Sequence, residues 1–164
     1  MYRTLAALLS YPDVDDRDDV AAAAPPELRA WAARWAAADP HLLRREYVDT
    51  FDFSAARSLE LTWHRHGDER GRGRALLDLK RRFREAGFEL APGRLPDELP
   101  LVLELCAEAP EAGLAILDEY QEELAAIRDA LDEFESPYAE LLDFLNRSLT
   151  SSEDVSFASS EAGA

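Results

Sequence analysis

Only one cysteine, Cys106, occurs among 164 residues. The chain can therefore form no internal disulfide, and a lone thiol fits a reducing compartment. No stretch approaches the roughly 20 consecutive apolar residues that a membrane-spanning helix needs. The opening MYRTLAALLSYPD has one basic residue, a short apolar run and then acids. It lacks the basic segment and small-residue cleavage site of a secretory signal, so cytoplasm is the expected location. β-Branched residues are few, and no segment alternates apolar with polar for long, which argues against a sheet. Basic residues are scarce: 18 Lys and Arg face 34 Asp and Glu, a net charge of −16. A field of that sign repels nucleic acid, so a nucleic-acid partner is not expected.

What is present is a globular balance of 47% hydrophobic and 32% charged residues, enough for one domain with a real core. Apolar residues recur at three and four along most of the chain, the period of amphipathic helices. Tyr2 to Ser10 reads as a short helix stopped by Pro12, followed by an acidic linker through Asp19. Pro25-Pro26-Glu27 opens a helix carrying Leu28, Trp31 and Trp35. Asp39-Pro40 is the clearest start signal, with an aspartate to cap free amides and proline at the first helical position; Leu43, Tyr47 and Phe51 follow on one face. Ser58 to His66 is predicted helical up to Gly67. Asp68 then starts a helix through Leu76, Leu79 and Phe83 to Gly87. Asp97 is a cap candidate for a helix with Leu99, Val102, Leu103 and Cys106 on its apolar face. One long helix is predicted from about Glu111 to Glu135, and a last one follows Ser136-Pro137 to Leu149. The predicted fold is an all-α, single-domain multi-helix bundle over residues 1–149. Residues 150–164, poor in apolar residues and without helical period, are expected to form a disordered tail.

Chemistry is harder to find. His64 and His66, two apart, do not share a helix face, and with His41 and Cys106 they form no known ligand spacing, so no metal site is expected. Gly71 and Gly73 lack the strand and the lysine of a phosphate loop. No catalytic centre is expected. The unusual segment is Leu61 to Arg74, LTWHRHGDERGRGR, which concentrates Trp63, two histidines and four arginines around three glycines. Arginines can grip carboxylates or helix C-termini in a forked geometry, so Trp63, His64, His66, Asp68, Arg70, Arg72 and Arg74 are candidates for a binding edge. Charge is also segregated. Glu104 to Asp143 holds thirteen acidic residues and one basic one, Arg128, whereas Arg57 to Arg94 holds ten basic and six acidic. Glu119, Glu122 and Glu123 on the acidic stretch would attract a basic partner segment. Pro96 and Pro100 flank Asp97, a stiff connection expected to act as a hinge.

Several pieces occur together in order: LLSYPD near the N-terminus, YVDTFD at Tyr47 to Asp52, SLELTWHRHGDERGRGRALLDLKRRF at Ser58 to Phe83, GFEL, LPDELPLVLELCA at Leu95 to Ala107 and SPYAELLDFL at Ser136 to Leu145. On these the chain resembles the respiratory nitrate reductase delta subunit, the NarJ-type assembly chaperones within the wider TorD/DmsD-like redox-enzyme maturation chaperones. The resemblance implies an all-helical cytoplasmic chaperone that is not an enzyme. Its client would be the immature catalytic alpha subunit of nitrate reductase, including that subunit's N-terminal segment. The chaperone would hold no cofactor stably, assist insertion of the molybdenum cofactor into the client, and delay membrane docking. Carried over by motif, the positions are Tyr47, Phe51, Asp52, His64, His66, Gly67, Asp68, Arg70, Arg72, Gly73, Leu95, Pro96, Asp97, Leu99 and Pro100. Some members have a glutamate before the first motif histidine, where this chain has Trp63. Two other readings of the residues are a general helical peptide-binding adaptor and a small enzyme using His64 or His66.

Overall fold

The computed structural model describes residues 1–13, 15–68 and 70–161, with side chains described up to Thr150. The described residues form ten α-helices, two 3₁₀ turns and no strand. They are α1 (Tyr2–Leu8), α2 (Arg17–Ala22), α3 (Arg29–Ala37), α4 (Pro40–Phe51), α5 (Leu61–His66), α6 (Arg70–Glu85), α7 (Leu99–Glu108), α8 (Pro110–Glu119), α9 (Gln121–Glu133) and α10 (Ala139–Glu161). The architecture is the expected all-α bundle. Leu5, Leu8 and Leu9 of the N-terminal helix pack on α7, and α7 packs in turn on α8. Leu124, Ile127 and Leu131 of α9 join Leu141, Leu142 and Leu145 of α10 in the same buried core. Truncating one of these fully buried leucines costs about 2–5 kcal/mol.

Local chemistry explains most boundaries. Asp39 accepts hydrogen bonds from the His41 and Leu42 amides at 2.9 and 3.1 Å, and those amides hold its carboxyl below the usual carboxylate range. At the end of α6, Phe88 N–H bonds to Phe83 carbonyl and Gly87 N–H to Arg84 carbonyl, with Gly87 at φ +79°. This is a Schellman ending, and the rings of Phe83 and Phe88 close it at 5.6 Å.

Four boundaries differ from the sequence reading. The acidic linker contains α2, because Arg17 reaches over to cap α3, donating to the Ala38 carbonyl at 2.9 Å, and Asp18 and Asp19 sit favourably in the first turn of α2. Ser58 to Glu60 is not helical, so α5 starts only at Leu61. The predicted long helix breaks at Tyr120, between α8 and α9. The Glu119 carbonyl accepts from the Arg65 guanidinium at 2.6 Å, and that guanidinium lies 4.2 Å from the centre of the Tyr120 ring. The apolar spacing runs unbroken through the bend, so periodicity alone could not reveal it. Asp97 is not a helix cap: Glu98 holds that position, and the Asp97 side chain turns inward. The last helix, α10, spans Ala139–Glu161, with side chains described to Thr150. Residues 162–164 lie outside the described residues.

Candidate functional site: an acidic groove and the junction behind it

Between the end of α1, one face of α4 and the start of α7 lies an open groove of about 450 Å³. Its apolar surface comes from Tyr11, Tyr47, Phe51, Leu59 and Pro100. Tyr47 is the centre of an aromatic cluster, with ring centroids 5.6 Å from Tyr11, 4.8 Å from Phe51 and 6.0 Å from Tyr138. Its hydroxyl donates to the Leu9 carbonyl at 3.1 Å, which ties α4 to α1. Burial, and next the negative charge of Asp52, push the Tyr47 phenol above its ordinary range, so it stays neutral.

Four carboxylates line the groove: Asp13, Asp52, Glu60 and Glu98. Three are engaged. Asp13 takes Arg44 at 2.7 Å, Glu98 takes Arg94 at 2.7 Å, and Glu60 pairs with Arg72. Asp52 is exposed and has no ion pair among the described residues. The groove is thus an aromatic floor with one free negative charge and three that already hold a cation.

The wall carrying Glu60 and Glu98 is fixed from behind. These two residues form an isolated antiparallel bridge. Leu61 N–H donates to the Asp97 carbonyl at 3.0 Å, and Leu99 N–H to the Leu59 carbonyl at 2.9 Å. The Asp97 carboxylate is fully buried. One of its oxygens accepts from the Thr62 amide at 3.3 Å and from the Thr62 hydroxyl, with the Arg72 guanidinium 3.7 Å away. Pro96 and Pro100 are buried on either side. A hinge at this connection has to break the two backbone bonds that form the bridge.

The junction residues divide into two groups. Arg72 points in and lies 5.2 Å from the centre of the Trp63 ring. His64 Nε2 donates to the Ser58 carbonyl at 2.7 Å, an acceptor that requires the proton on that nitrogen. A Cβ on Gly71 would meet the His66 ring at 3.0 Å, so glycine there leaves room for the histidine. Asp68, Arg70 and Arg74 instead face solvent. The acidic stretch is likewise divided. Glu123 is buried and takes Arg65 in a fork at 2.6 and 2.9 Å. Glu119 pairs with Arg82 at 2.8 Å, while Glu122 is exposed.

The groove therefore brings together Tyr47, Phe51, Asp52 and Pro100 from the sequence candidates. The junction gathers Trp63, His64, Arg72 and Asp97. Arg65, Thr62 and Glu60 were missed as organisers, although the first two stand inside the segment whose composition drew attention and Glu60 directly precedes it. Tyr11 and Glu98 were missed as groove residues; the motifs LLSYPD and LPDEL contain them. Cys106 is buried, and burial pushes its thiol up to about 12. Among the described residues no group of three or more His, Cys, Asp and Glu could hold a metal ion, and no helix is long and apolar enough to cross a membrane.

Fold and groove together define an all-helical protein with a concave surface that suits an apolar and basic segment. The sequence pattern of the nitrate reductase delta subunit matches residues 15–143. The chain is 32% identical to the probable nitrate reductase molybdenum cofactor assembly chaperone NarJ of Bacillus subtilis, covering 99% of this chain and 94% of that protein. It is 38% identical to the nitrate reductase molybdenum cofactor assembly chaperone NarJ of Escherichia coli over 65% of this chain and 46% of the relative. With the nitrate reductase-like protein NarX of Mycobacterium tuberculosis it shares 42% identity over 62% of this chain, spanning only 16% of that longer protein. This chain belongs to the nitrate reductase delta subunit family.

Proposed function

We propose that the protein is a system-specific cytoplasmic chaperone for the immature catalytic alpha subunit of a respiratory nitrate reductase. It binds that subunit, including its N-terminal segment, supports insertion of the molybdenum cofactor into it, and delays membrane docking until insertion is complete. The cofactor is cargo of the client and is held by the client. The family supports the chaperone role, and the observation that carries the binding step is the aromatic groove with its free carboxylate.

In this reading the apolar part of the client's N-terminal segment lies on Tyr11, Tyr47, Phe51 and Pro100, while a basic residue meets Asp52. Asp13 and Glu98 can exchange their own arginines for a client cation, which keeps the net gain per contact small. Exposed pairs contribute about 0.2–1 kcal/mol each, a magnitude that suits a partner that must be released. Glu122 and the overall negative charge add long-range attraction. Trp63, His64, Arg72 and Asp97 act as positioning residues that hold the Glu60–Glu98 wall. Co-expression with the alpha subunit tests the reading. The chain is expected to co-purify with alpha subunit lacking the molybdenum cofactor and to be absent from the cofactor-loaded enzyme. Equal recovery with both forms, or with neither, contradicts it.

A further inference from the structure

The outer face of α6 lies open to solvent. Leu79 and Phe83 anchor the inner face of this helix in the core. On the other side Arg70, Gly73, Arg74, Leu77, Lys80 and Arg84 are all exposed, and their spacing of three and four residues puts them on one stripe. At 1.5 Å per residue the stripe is about 21 Å long. Leu77, at its middle, is 70% exposed. At its far end Lys80, Arg84, Phe88, Glu89 and Leu90 line a hollow of about 240 Å³.

Two observations set this stripe apart. The first is its charge. With 34 Asp and Glu for 18 Lys and Arg, a cation in this chain readily finds an anion. Arg44 holds Asp13, Arg94 holds Glu98 and Arg128 holds Asp143. On α6 itself Arg72, Arg81 and Arg82 hold Glu60, Asp78 and Glu119. Arg70, Arg74, Lys80 and Arg84 have no ion pair among the described residues. The second is Gly73. Its backbone is ordinary helix, and a Cβ there would meet nothing within 4 Å. Neither backbone conformation nor internal packing calls for glycine at this position, although glycine weakens a helix interior. Its missing side chain leaves a notch one turn before Leu77, where another element can come close.

We propose that the outer face of α6 docks an acidic amphipathic helix of a partner protein. Its carboxylates meet Arg74, Lys80 and Arg84, one apolar side chain enters the notch at Gly73 beside Leu77, and another covers Phe88 and Leu90. Two helices laid together interdigitate through ridges at three- and four-residue spacing, the spacing of this stripe. Charge complementarity fixes the sign of the occupant. The net charge of −16 fixes its size as well. An extended polyanion such as a nucleic acid or a lipid surface would reach past α6 to the acid-rich remainder and be repelled, whereas a single short helix can cover the stripe alone. The stripe and its hollow share no residue with the groove lined by Tyr47 and Asp52, so the inference does not depend on what fills that groove.

The full chain, labelled with ¹⁵N, can be titrated with a synthetic peptide of about 15 residues, the length of the stripe. The peptide carries glutamates on one face and leucines along their edge, and a hydrocarbon staple on its outer side holds it helical. The amide resonances of Gly73, Leu77 and Leu90 are expected to move and saturate, while those of Glu122 and Asp129 stay in place. A peptide of the same composition, shuffled so that its leucines share no face, should bind at least several-fold more weakly. Arg74→Glu combined with Arg84→Glu breaks no ion pair among the described residues, so Tm should stay within about 2 °C while affinity falls about tenfold. Gly73→Gln fills the notch with a better helix former. It should raise Tm by about 1–3 °C and weaken binding several-fold. The proposal is overturned if the three resonances stay still up to the solubility limit of the peptide, if the shuffled peptide binds as well, or if either variant binds with unchanged affinity. Phosphatidylserine vesicles or single-stranded DNA that move the same resonances as strongly would assign the stripe to anionic surfaces in general and overturn it too.

Discussion

The junction around Asp97 and the groove around Asp52 are built from the same kinds of residue, yet they dispose of their charges in opposite ways. At the junction the acids that hold the wall turn inward, although Asp68, Arg70 and Arg74 face solvent. Asp97 is fully buried against Thr62 and Arg72, and Glu123 is gripped by Arg65. At the groove the Asp52 carboxylate faces solvent without a cation, beside rings that no other element covers completely. A buried charge needs its partner to exist at all, whereas an exposed one is free to choose. The difference teaches that a segment rich in motif residues can serve mainly to hold a wall, leaving the surface it holds open to a partner.

The comparison can be broken most severely at Asp97. Asp97→Ala leaves the Thr62 amide and hydroxyl without their shared acceptor and Arg72 with Glu60 as its one remaining anion, and removing one member of a buried pair costs about 3–5 kcal/mol. Thermal unfolding should show a Tm lower by roughly 6–20 °C, at about 2–4 °C per kcal/mol. A change within error would mean that the bridge between residues 60 and 98 stands without it. Arg65 comes next. It donates to both Glu123 oxygens and to the Glu119 carbonyl, and its loss should cost about 1.5–3 kcal/mol, the range for hydrogen bonds to charged groups. Arg65→Lys keeps the charge but cannot reproduce the fork, so chemical denaturation should show it recovering less than half of the Arg65→Ala loss. Full recovery would reduce the interaction to simple charge.

How legible this was in the sequence depends on the kind of signal. Asp39-Pro40 and Gly87 are local devices, each complete within a few residues, and both helix ends fall where those residues place them. The break at Tyr120 is set by Arg65, which lies on α5, far away in sequence, so no local pattern could announce it. The same holds for Asp97, whose position suggested a cap but whose partner Thr62 is 35 residues earlier. Of the site, the aromatic residues Tyr47 and Phe51 and the acid Asp52 were visible in the motif YVDTFD. Their joining with Tyr11 and Glu98 into one groove required the fold. The acidic stretch looked like a free surface in the sequence, but Glu119, Glu123 and Asp129 already have arginine partners.

The smallest expected effect on stability belongs to Asp52, and it carries the central claim that the groove receives the client's N-terminal segment. Association of a synthetic peptide of that segment with the full chain can be followed by stopped flow across a salt series, for the original protein and for Asp52→Lys. Charge reversal at an exposed, unpaired site should leave Tm within about 1 °C, since surface substitutions usually stay within ±0.5 kcal/mol. The account predicts that association slows several-fold at low salt and that its salt dependence flattens, because attraction acting over a Debye length of about 8 Å has been replaced by repulsion. An Asp52→Lys protein that associates as fast, with the same salt slope, would contradict the account and place the client's N-terminal segment elsewhere on the molecule.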